Sequence, residues 1–322
     1  MSAQPPVLPV PELDPIPGAA GPTAAGADRL GWPRAVLRTS RPRQWPKNLL
    51  VFAAPVAAAD RGRIVGLPGA LVAFGVFTMA SCAVYFVNDV VDADRDRRHP
   101  TKCNRPVASG ALAERHALAL AVACVLLAEA IGAGLASATA SAGLAFCVTG
   151  YLALSFLYSV TLKHLPILEL TMVASGFVLR AIGGAAAARV APSGWFVLVC
   201  SLGALLVAIS KRYTELSTLG PAAAGHRPCL RRYTPSGLRL AQRALSVAMI
   251  AGYLGWALLN GSSWAVGWHL ITVLPLAVAL LRFDRLTGRA TTARVEDLIT
   301  RDGPMLACEL VWLVLFVTAG TA

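Results

Sequence analysis

Long apolar segments follow one another through most of this chain of 322 residues. A helix that crosses a bilayer needs about 20 mostly apolar residues, and the sequence contains nine runs of roughly this kind. The runs lie near 47–60, 68–88, 113–135, 138–158, 165–186, 194–210, 241–259, 264–281 and 303–321. Only 14% of the residues are charged, against about 25% in soluble globular domains. The sequence therefore predicts an all-α, polytopic membrane protein with nine transmembrane helices.

The basic residues are distributed unevenly between the connections of these runs. If the N-terminus lies inside, the inner connections hold 25 of the 29 Lys and Arg residues. These connections are 28–47, 89–116, 159–165, 211–243 and 282–303. Because cytoplasmic loops carry such an excess, the net charge of +12 indicates membrane topology and not nucleic-acid binding. We expect a multi-pass protein of the cell (plasma) membrane whose active site faces the cytoplasm, where the longest polar loops lie.

The first 27 residues differ in composition from the rest of the chain. Residues 1–27 are rich in Pro, Ala and Gly and lack the apolar core of a signal peptide, which favours a disordered tail. No later change in composition marks a second domain, so residues 28–322 are expected to form one transmembrane domain. The seven cysteines contain no CxxC pair, so we expect neither a disulfide framework nor a zinc site.

The most specific local feature is an acidic cluster at the inner end of the second run, from Asn88 to Asp96. Asn88, Asp92 and Asp96 recur at intervals of four residues, which places them on one helical face. Ionised groups at a membrane-helix end are costly unless they pair or bind a cation. Oxygen ligands of this kind suit Mg²⁺, which commonly bridges carboxylates to substrate phosphates. We predict a Mg²⁺ site at Asn88, Asp92 and Asp96, with Asp89 as a further candidate; the alternative is a solvated helix end.

Several further residues are candidates for substrate binding. Lys102 and Arg105 follow the acidic cluster and can neutralise phosphate oxygens, whereas His99 beside them is interpreted as structural. Glu169 and Arg180 are ionisable residues inside an apolar run, which makes them candidates by default. The remaining candidates are Lys47, Asn48, Tyr158, Lys163, Lys211 and Glu215.

Three of these candidates have simpler explanations. Arg180 is expected to reach a phosphate, to pair with an acid or to lie near the outer interface. Lys211 and Glu215 are four residues apart, so they form either an ordinary helix pair or a phosphate-binding lysine that its glutamate orients.

These motifs resemble the UbiA superfamily of intramembrane transferases. The matching residues are Asn88, Asp92, Asp96, Lys102, Arg105, Pro106, Tyr158 and Lys163. The resemblance implies a nine-helix bundle around a central polar cavity that is open to the cytoplasmic side. The usual second Asp pair is absent from the run that contains Glu169. The segments RPRQWPKN (residues 41–48) and KRYTE (residues 211–215) instead resemble the decaprenyl-phosphate phosphoribosyltransferase branch.

The resemblance implies a specific reaction. Phosphoribosyl pyrophosphate would donate 5-phosphoribose to a polyprenyl phosphate such as decaprenyl phosphate, and pyrophosphate would leave, in arabinan cell-wall precursor synthesis. Asn88, Asp92 and Asp96 would hold Mg²⁺ on the donor's pyrophosphate as the catalytic residues. The residues that would bind the donor's phosphates are Lys47, Lys102, Arg105, Tyr158, Lys163 and Lys211. Glu169 and Glu215 would orient these cations or contact ribose hydroxyls. An acceptor phosphate is already anionic, so the reaction needs no general base.

Other functions remain open from the sequence. A UbiA-type prenyltransferase with an aromatic acceptor would bring only one polyanionic group, so the surplus of inner basic residues favours the phosphoribosyl donor. A transporter would use the acids for a cation path, although the sequence shows no clear internal repeat. A silent scaffold subunit is a third alternative, and the sequence also leaves a homo-oligomer open.

Overall fold

The computed structural model describes residues 31–58, 65–139, 141–160, 165–220, 228–260, 263–289 and 295–321, and every regular element in these ranges is helical. The expected tail, residues 1–27, and Lys163 lie outside the described residues. The α-helices are α1 (Trp32–Thr39), α2 (Ala53–Ala57), α3 (Leu67–Val91), α4 (Ala93–Arg97), α5 (Glu114–Thr139), α6 (Gly143–Val160), α7 (Leu168–Ala187), α8 (Gly194–Leu219), α9 (Pro235–Asn260), α10 (Ser263–Gly288), α11 (Val295–Arg301) and α12 (Gly303–Thr321). Three 3₁₀ helices cover Pro42–Phe52, Lys102–Asn104 and Pro228–Arg232.

The long helices are those of a multi-pass membrane protein. Among the described residues, α3, α5, α7, α8 and α10 are long and apolar enough to cross a bilayer, and α6 and α12 are apolar over shorter lengths. Large apolar side chains such as Phe146, Leu259 and Leu274 are more than two-thirds exposed on the outside of the bundle, as lipid-facing residues are. The all-α prediction is confirmed, whereas the count of nine transmembrane helices stays a prediction.

The first predicted run differs from a regular membrane helix. The chain forms the Pro42–Phe52 3₁₀ helix and then the short helix α2, which ends at Ala57. Pro42 and Pro46 lack the backbone N–H that an α-helical ladder needs, which favours the tighter 3₁₀ form here. A 3₁₀ helix of 11 residues is unusual, because such runs are commonly no longer than about 4 residues. Tertiary contacts must therefore stabilise this conformation.

Close packing against α7 is one of these contacts. The Pro42–Phe52 helix packs on α3 and α7, and the buried side chain of Val51 joins a core cluster with Phe77 of α3 and Val148 of α6. At the crossing, a Cβ on Gly184 would lie 1.9 Å from the carbonyl oxygen of Val51. Only glycine allows this approach of the two backbones.

A buried polar network fixes the same helix one turn before Val51. The guanidinium of Arg180 in α7, which is 6% exposed, lies over the ring of Tyr151. Its Nε donates to Asn48 Oδ1 at 2.7 Å, and Asn48 Nδ2 donates to Thr78 Oγ1 at 3.0 Å. The other acceptors of Arg180 are the Gly176 carbonyl, the Ser81 hydroxyl and the Tyr151 hydroxyl. Arg180 is thus buried against neutral groups and contacts the residue next to Lys47.

Replacing Arg180 tests the strength of this network. We expect Arg180→Leu to lower the free energy of unfolding by at least about 2 kcal/mol, because each buried polar group left without a partner costs about 1–3 kcal/mol. Thermal unfolding in detergent measures the change. Arg115→Leu, on the exposed first turn of α5, is the matched control. An equal midpoint for both variants would contradict a structural role for the network.

Candidate active site

The acidic cluster forms one continuous helical face. Helix α3 ends at Val91 and α4 begins at Ala93, but the helical hydrogen bonds continue across the break. The amide of Asp92 donates to the Asn88 carbonyl at 2.9 Å, and the amide of Asp96 donates to the Asp92 carbonyl at 2.8 Å. Asn88, Asp92 and Asp96 therefore occupy successive turns, which is the arrangement that their spacing predicts.

Two arginines compensate the buried carboxylates of this region. The side chains of Asp89 and Asp96 are each 3% exposed. Arg105 Nη1 lies 2.6 Å from Asp96 Oδ2 and 3.4 Å from Asp89 Oδ1, and Arg41 also pairs with Asp89. A buried carboxylate requires such partners, because burial removes its hydration. The ion pairs fix Arg105 and the start of the Pro42–Phe52 helix to the acidic end of α3.

Arg41 was not among the residues that the sequence predicts for the site. Its guanidinium lies over the ring of Tyr85 at 4.9 Å as well as on Asp89. Its backbone has a φ of 52°, in the left-handed region that residues other than glycine seldom adopt. The available signal was its place in the RPRQWPKN segment, but a basic residue before a membrane helix is also ordinary positive-inside charge.

The donor set on this face fits a metal that is shared with a substrate. Among the described residues, no three His, Cys, Asp or Glu side chains converge closely enough to hold a metal by themselves. Asn88, Asp92 and Asp96 offer amide and carboxylate oxygens from successive turns. Mg²⁺ usually takes one or two carboxylates and completes its shell with water and substrate phosphates, so these residues fit it.

A cationic cavity of about 1070 Å³ opens beside the acidic face. Six basic side chains and two acidic ones line it. These are Arg38, Arg41, Arg43, Lys47, Arg105, Lys211, Asp89 and Glu215. Tyr85, Gln44, Thr214 and Thr218 add polar groups. The cavity wall therefore carries a large positive excess, which is suited to a ligand with several anionic groups.

The structure brings some predicted residues to this cavity and leaves others apart. Lys47, Arg105, Lys211, Glu215 and Asp89 line it. Of the other described candidates, these do not contribute to its wall: Asn48, Asn88, Asp92, Asp96, Lys102, Tyr158, Glu169 and Arg180. The cavity lies at the end where α3 and α8 carry their charged residues, and the central polar cavity open to the cytoplasmic side stays a prediction.

His99 accepts hydrogen bonds from nearby backbone amides. Its Nδ1 lies 3.3 Å from the Thr101 amide and 3.4 Å from the Lys102 amide, which places it as their acceptor. Lys102 then begins the short Lys102–Asn104 helix that leads to Arg105. The geometry agrees with the structural role expected for His99.

Glu169 and Glu215 are joined through Arg212. Arg212 Nε lies 2.6 Å from Glu169 Oε1, and Arg212 Nη1 lies 2.6 Å from Glu215 Oε2. Glu169 is fully buried and Arg212 is 2% exposed. The expected partner of Glu215 was Lys211, and the structure adds Arg212, which the sequence prediction missed. Arg212 orients Glu215 at the cavity, and Glu169 acts through Arg212.

An apolar groove of about 610 Å³ lies along the Pro42–Phe52 helix from Pro46 onward. Residues of this helix, of α2, of the α7–α8 connection and of α8, α9 and α12 line it. Its aromatic residues are Phe52, Trp195, Phe196, Tyr253, Trp256, Trp312 and Phe316. The groove thus runs from the Pro42–Phe52 helix along the membrane-spanning part of the bundle.

Breaking the bridge at Arg212 tests its structural role. We expect Arg212→Met to lower the free energy of unfolding by about 3–5 kcal/mol, because Glu169 then loses its ion pair inside the bundle. The double variant Arg212→Met, Glu169→Gln should recover part of this loss, since it also removes the buried negative charge. Thermal unfolding of both proteins in detergent measures the difference. A double variant no more stable than Arg212→Met would contradict the pairing.

The chain is similar to named relatives over most of its length. The decaprenyl-phosphate phosphoribosyltransferase of Corynebacterium glutamicum is 35% identical over 293 residues, which cover 88% of this chain and 86% of that protein. The protein of the same name from Mycobacterium tuberculosis is 35% identical over 291 residues, covering 89% of this chain and 93% of that protein. These relatives bear the name of the branch that the motifs predict.

Solved structures and the family profile agree with this placement. A UbiA homolog from Archaeoglobus fulgidus bound to GPP and Mg²⁺ superposes with a TM-score of 0.68 at 16% identity, covering 89% of this chain and 99% of that one. This similarity shows the fold. The profile of the UbiA prenyltransferase family matches residues 49–298. The chain belongs to the UbiA prenyltransferase family, as its motifs predict.

Proposed function

We propose that this chain transfers 5-phosphoribose from phosphoribosyl pyrophosphate to decaprenyl phosphate, or to a polyprenyl phosphate of another length, and releases pyrophosphate. Relatives with this activity in their name are similar to nearly the whole chain. The reaction makes the protein a polyprenyl-phosphate phosphoribosyltransferase that depends on Mg²⁺.

The observation that carries this proposal is the charge of the cavity. Six cations against two carboxylates suit a donor with a pyrophosphate and a 5-phosphate and an acceptor with a further phosphate. Arginine and lysine bind such oxygens by charge-assisted hydrogen bonds. A prenyl diphosphate and a neutral aromatic acceptor would bring only one polyanionic group. The cavity has more basic side chains than one such group needs.

We assign a different group of the donor to each set of residues. Arg105 contacts the acidic face and also lines the cavity, so it is placed to bind the donor's pyrophosphate. Lys211 and Glu215, which also line the cavity, would bind the ribose 5-phosphate and hydroxyls. Mg²⁺ held by Asn88, Asp92 and Asp96 would stabilise the charge that develops on the leaving pyrophosphate.

The proposed transfer needs no proton acceptor. An oxygen of the acceptor phosphate forms the new bond to ribose C1, the bond from C1 to pyrophosphate breaks, and pyrophosphate keeps the electron pair. The nucleophile is anionic before it reacts, which agrees with a cavity lined by cations. In-line attack inverts the anomeric centre.

We further propose that the cavity faces the cytoplasm. The excess of basic residues in the connections at this end supports that orientation. The product would serve the synthesis of arabinan cell-wall precursors, as the branch resemblance implies.

Substitution on the acidic face tests the proposal. The purified protein in detergent is incubated with labelled phosphoribosyl pyrophosphate, decaprenyl phosphate and Mg²⁺, and label in the lipid phase is measured. We expect EDTA to abolish transfer and Asp92→Asn to reduce kcat/KM by at least about 100-fold, since even the loss of an outer-shell partner of a metal ligand costs about 10–100-fold. Asp94→Asn is the matched control, because the exposed Asp94 pairs with Arg97 and points off the face; its activity should stay within about twofold.

Two outcomes would count against the proposal. Equal losses in Asp92→Asn and Asp94→Asn would mean that general charge, and not the predicted face, matters. Absence of transfer by the wild-type protein, together with transfer from a prenyl diphosphate to an aromatic acceptor, would instead assign it a prenyltransferase activity.

A further inference from the structure

The Pro42–Phe52 helix lines both the cationic cavity and the apolar groove. Arg43, Gln44 and Lys47 line the cationic cavity, whereas four other side chains of the helix line the apolar groove. These are Pro46, Leu49, Leu50 and Phe52. One short helix therefore presents cations at its beginning and an apolar surface toward its end.

The geometry of a 3₁₀ helix makes this arrangement continuous. With three residues per turn, Arg43, Pro46, Leu49 and Phe52 form one stripe, and Gln44, Lys47 and Leu50 form the next. A rise of about 2 Å per residue separates Lys47 from Leu50 by roughly 6 Å along the axis. A single ligand with an anionic head and an apolar chain can contact both ends of the helix.

We propose that Lys47, with Arg43 beside it, binds the phosphate of the polyprenyl phosphate acceptor, and that the polyprenyl chain lies in the apolar groove. This inference rests on the proposed function and names the substrate group that these residues select. It changes the expectation from the sequence, in which Lys47 binds a phosphate of the donor. The donor is polar throughout, so the apolar half of the helix gives it no contact.

The other cations of the cavity are placed for the donor. Arg41 and Arg105 pair with the carboxylates of Asp89 in α3 and Asp96 in α4, where the pyrophosphate is expected. Lys211 lies on α8 with the polar side chains of Thr214, Glu215 and Thr218. An in-line displacement needs the nucleophile and the leaving group on opposite sides of ribose C1. Separate binding of the two substrates, on the Pro42–Phe52 helix and on α3, meets this need.

Lys47 is also held in a fixed position. Its neighbour Asn48 is 1% exposed and bonds to both α7 and α3 through Arg180 and Thr78. Gly184 lets the backbone of Val51 pack directly on α7. The helix that carries Lys47 is therefore anchored to both α3 and α7. A lysine that positions a nucleophile needs such a fixed backbone.

Kinetics of matched lysine variants test the assignment. We expect Lys47→Met to raise the KM for decaprenyl phosphate about tenfold or more, the effect of losing a charge-assisted hydrogen bond, with little change in the KM for phosphoribosyl pyrophosphate. Lys211→Met should do the reverse. Lys47→Arg should restore most of the lipid affinity, which a merely structural role of Lys47 would not predict.

A groove variant tests the position of the chain. Val199→Trp fills part of the groove, so we expect it to raise the KM for decaprenyl phosphate and to leave the KM for geranyl phosphate nearly unchanged. An equal effect on both lipids would overturn the assignment of the groove.

Binding without a donor separates this inference from the proposed function. Retention of labelled decaprenyl phosphate by the purified protein is measured for the wild type and for Lys47→Met. Weaker retention by the variant supports the inference even if another donor proves to be used. Equal retention, or a rise only in the KM for phosphoribosyl pyrophosphate, overturns it and leaves the proposed transfer intact.

Discussion

Charge inside an apolar bundle must be compensated, and this constraint organises the structure around its acidic end. Arg105 bridges Asp96 and Asp89, and Arg41 reaches Asp89 from the segment before the first apolar run. The ion pairs tie these connections to α3 and α4, because a carboxylate in an apolar bundle costs several kcal/mol without a partner. The same pairs place basic side chains at the cavity wall. The same arginines therefore compensate the buried carboxylates and line the anion-binding cavity.

The other buried charges anchor the helices around this cavity. Arg212 joins α7 to α8 through Glu169 and aligns Glu215 with the cavity. Arg180 holds the Pro42–Phe52 helix through Asn48 by contacts with neutral groups. These two arginines do not line the cavity, yet they fix the elements that do. A site for several phosphates and a lipid chain needs this rigidity, because both substrates must be aligned on one carbon atom.

The sequence predicts the parts of this account that depend on local periodicity or on strong motifs. The spacing of Asn88, Asp92 and Asp96 requires one helical face, and the long apolar runs require membrane helices. The family also follows from the motifs. The cavity lining was harder to predict, because Arg38 and Arg43 are indistinguishable in sequence from topological charge.

Other features depend on contacts between residues far apart in the chain. The bridge by Arg212 arises because α7 and α8 pack together, and Glu169 and Arg212 are 43 residues apart. Trp195 and Trp312 line the apolar groove together with residues of the Pro42–Phe52 helix. No local sequence pattern predicts this contact. The 3₁₀ form of this helix likewise follows from its packing on α7. Tertiary packing therefore decides where Arg180 and Asn48 lie, and it joins them in one buried hydrogen-bond network.

The structure of the lipid product tests the central claim most directly. Phosphoribosyl pyrophosphate labelled with ¹³C at ribose C1 is reacted with decaprenyl phosphate, and the extracted lipid is analysed by NMR. The account predicts coupling between C1 and a single lipid-linked phosphorus, with the anomeric centre inverted. Retention at C1 would contradict direct attack by the acceptor phosphate, and a lipid without the ribose carbon would contradict phosphoribosyl transfer itself.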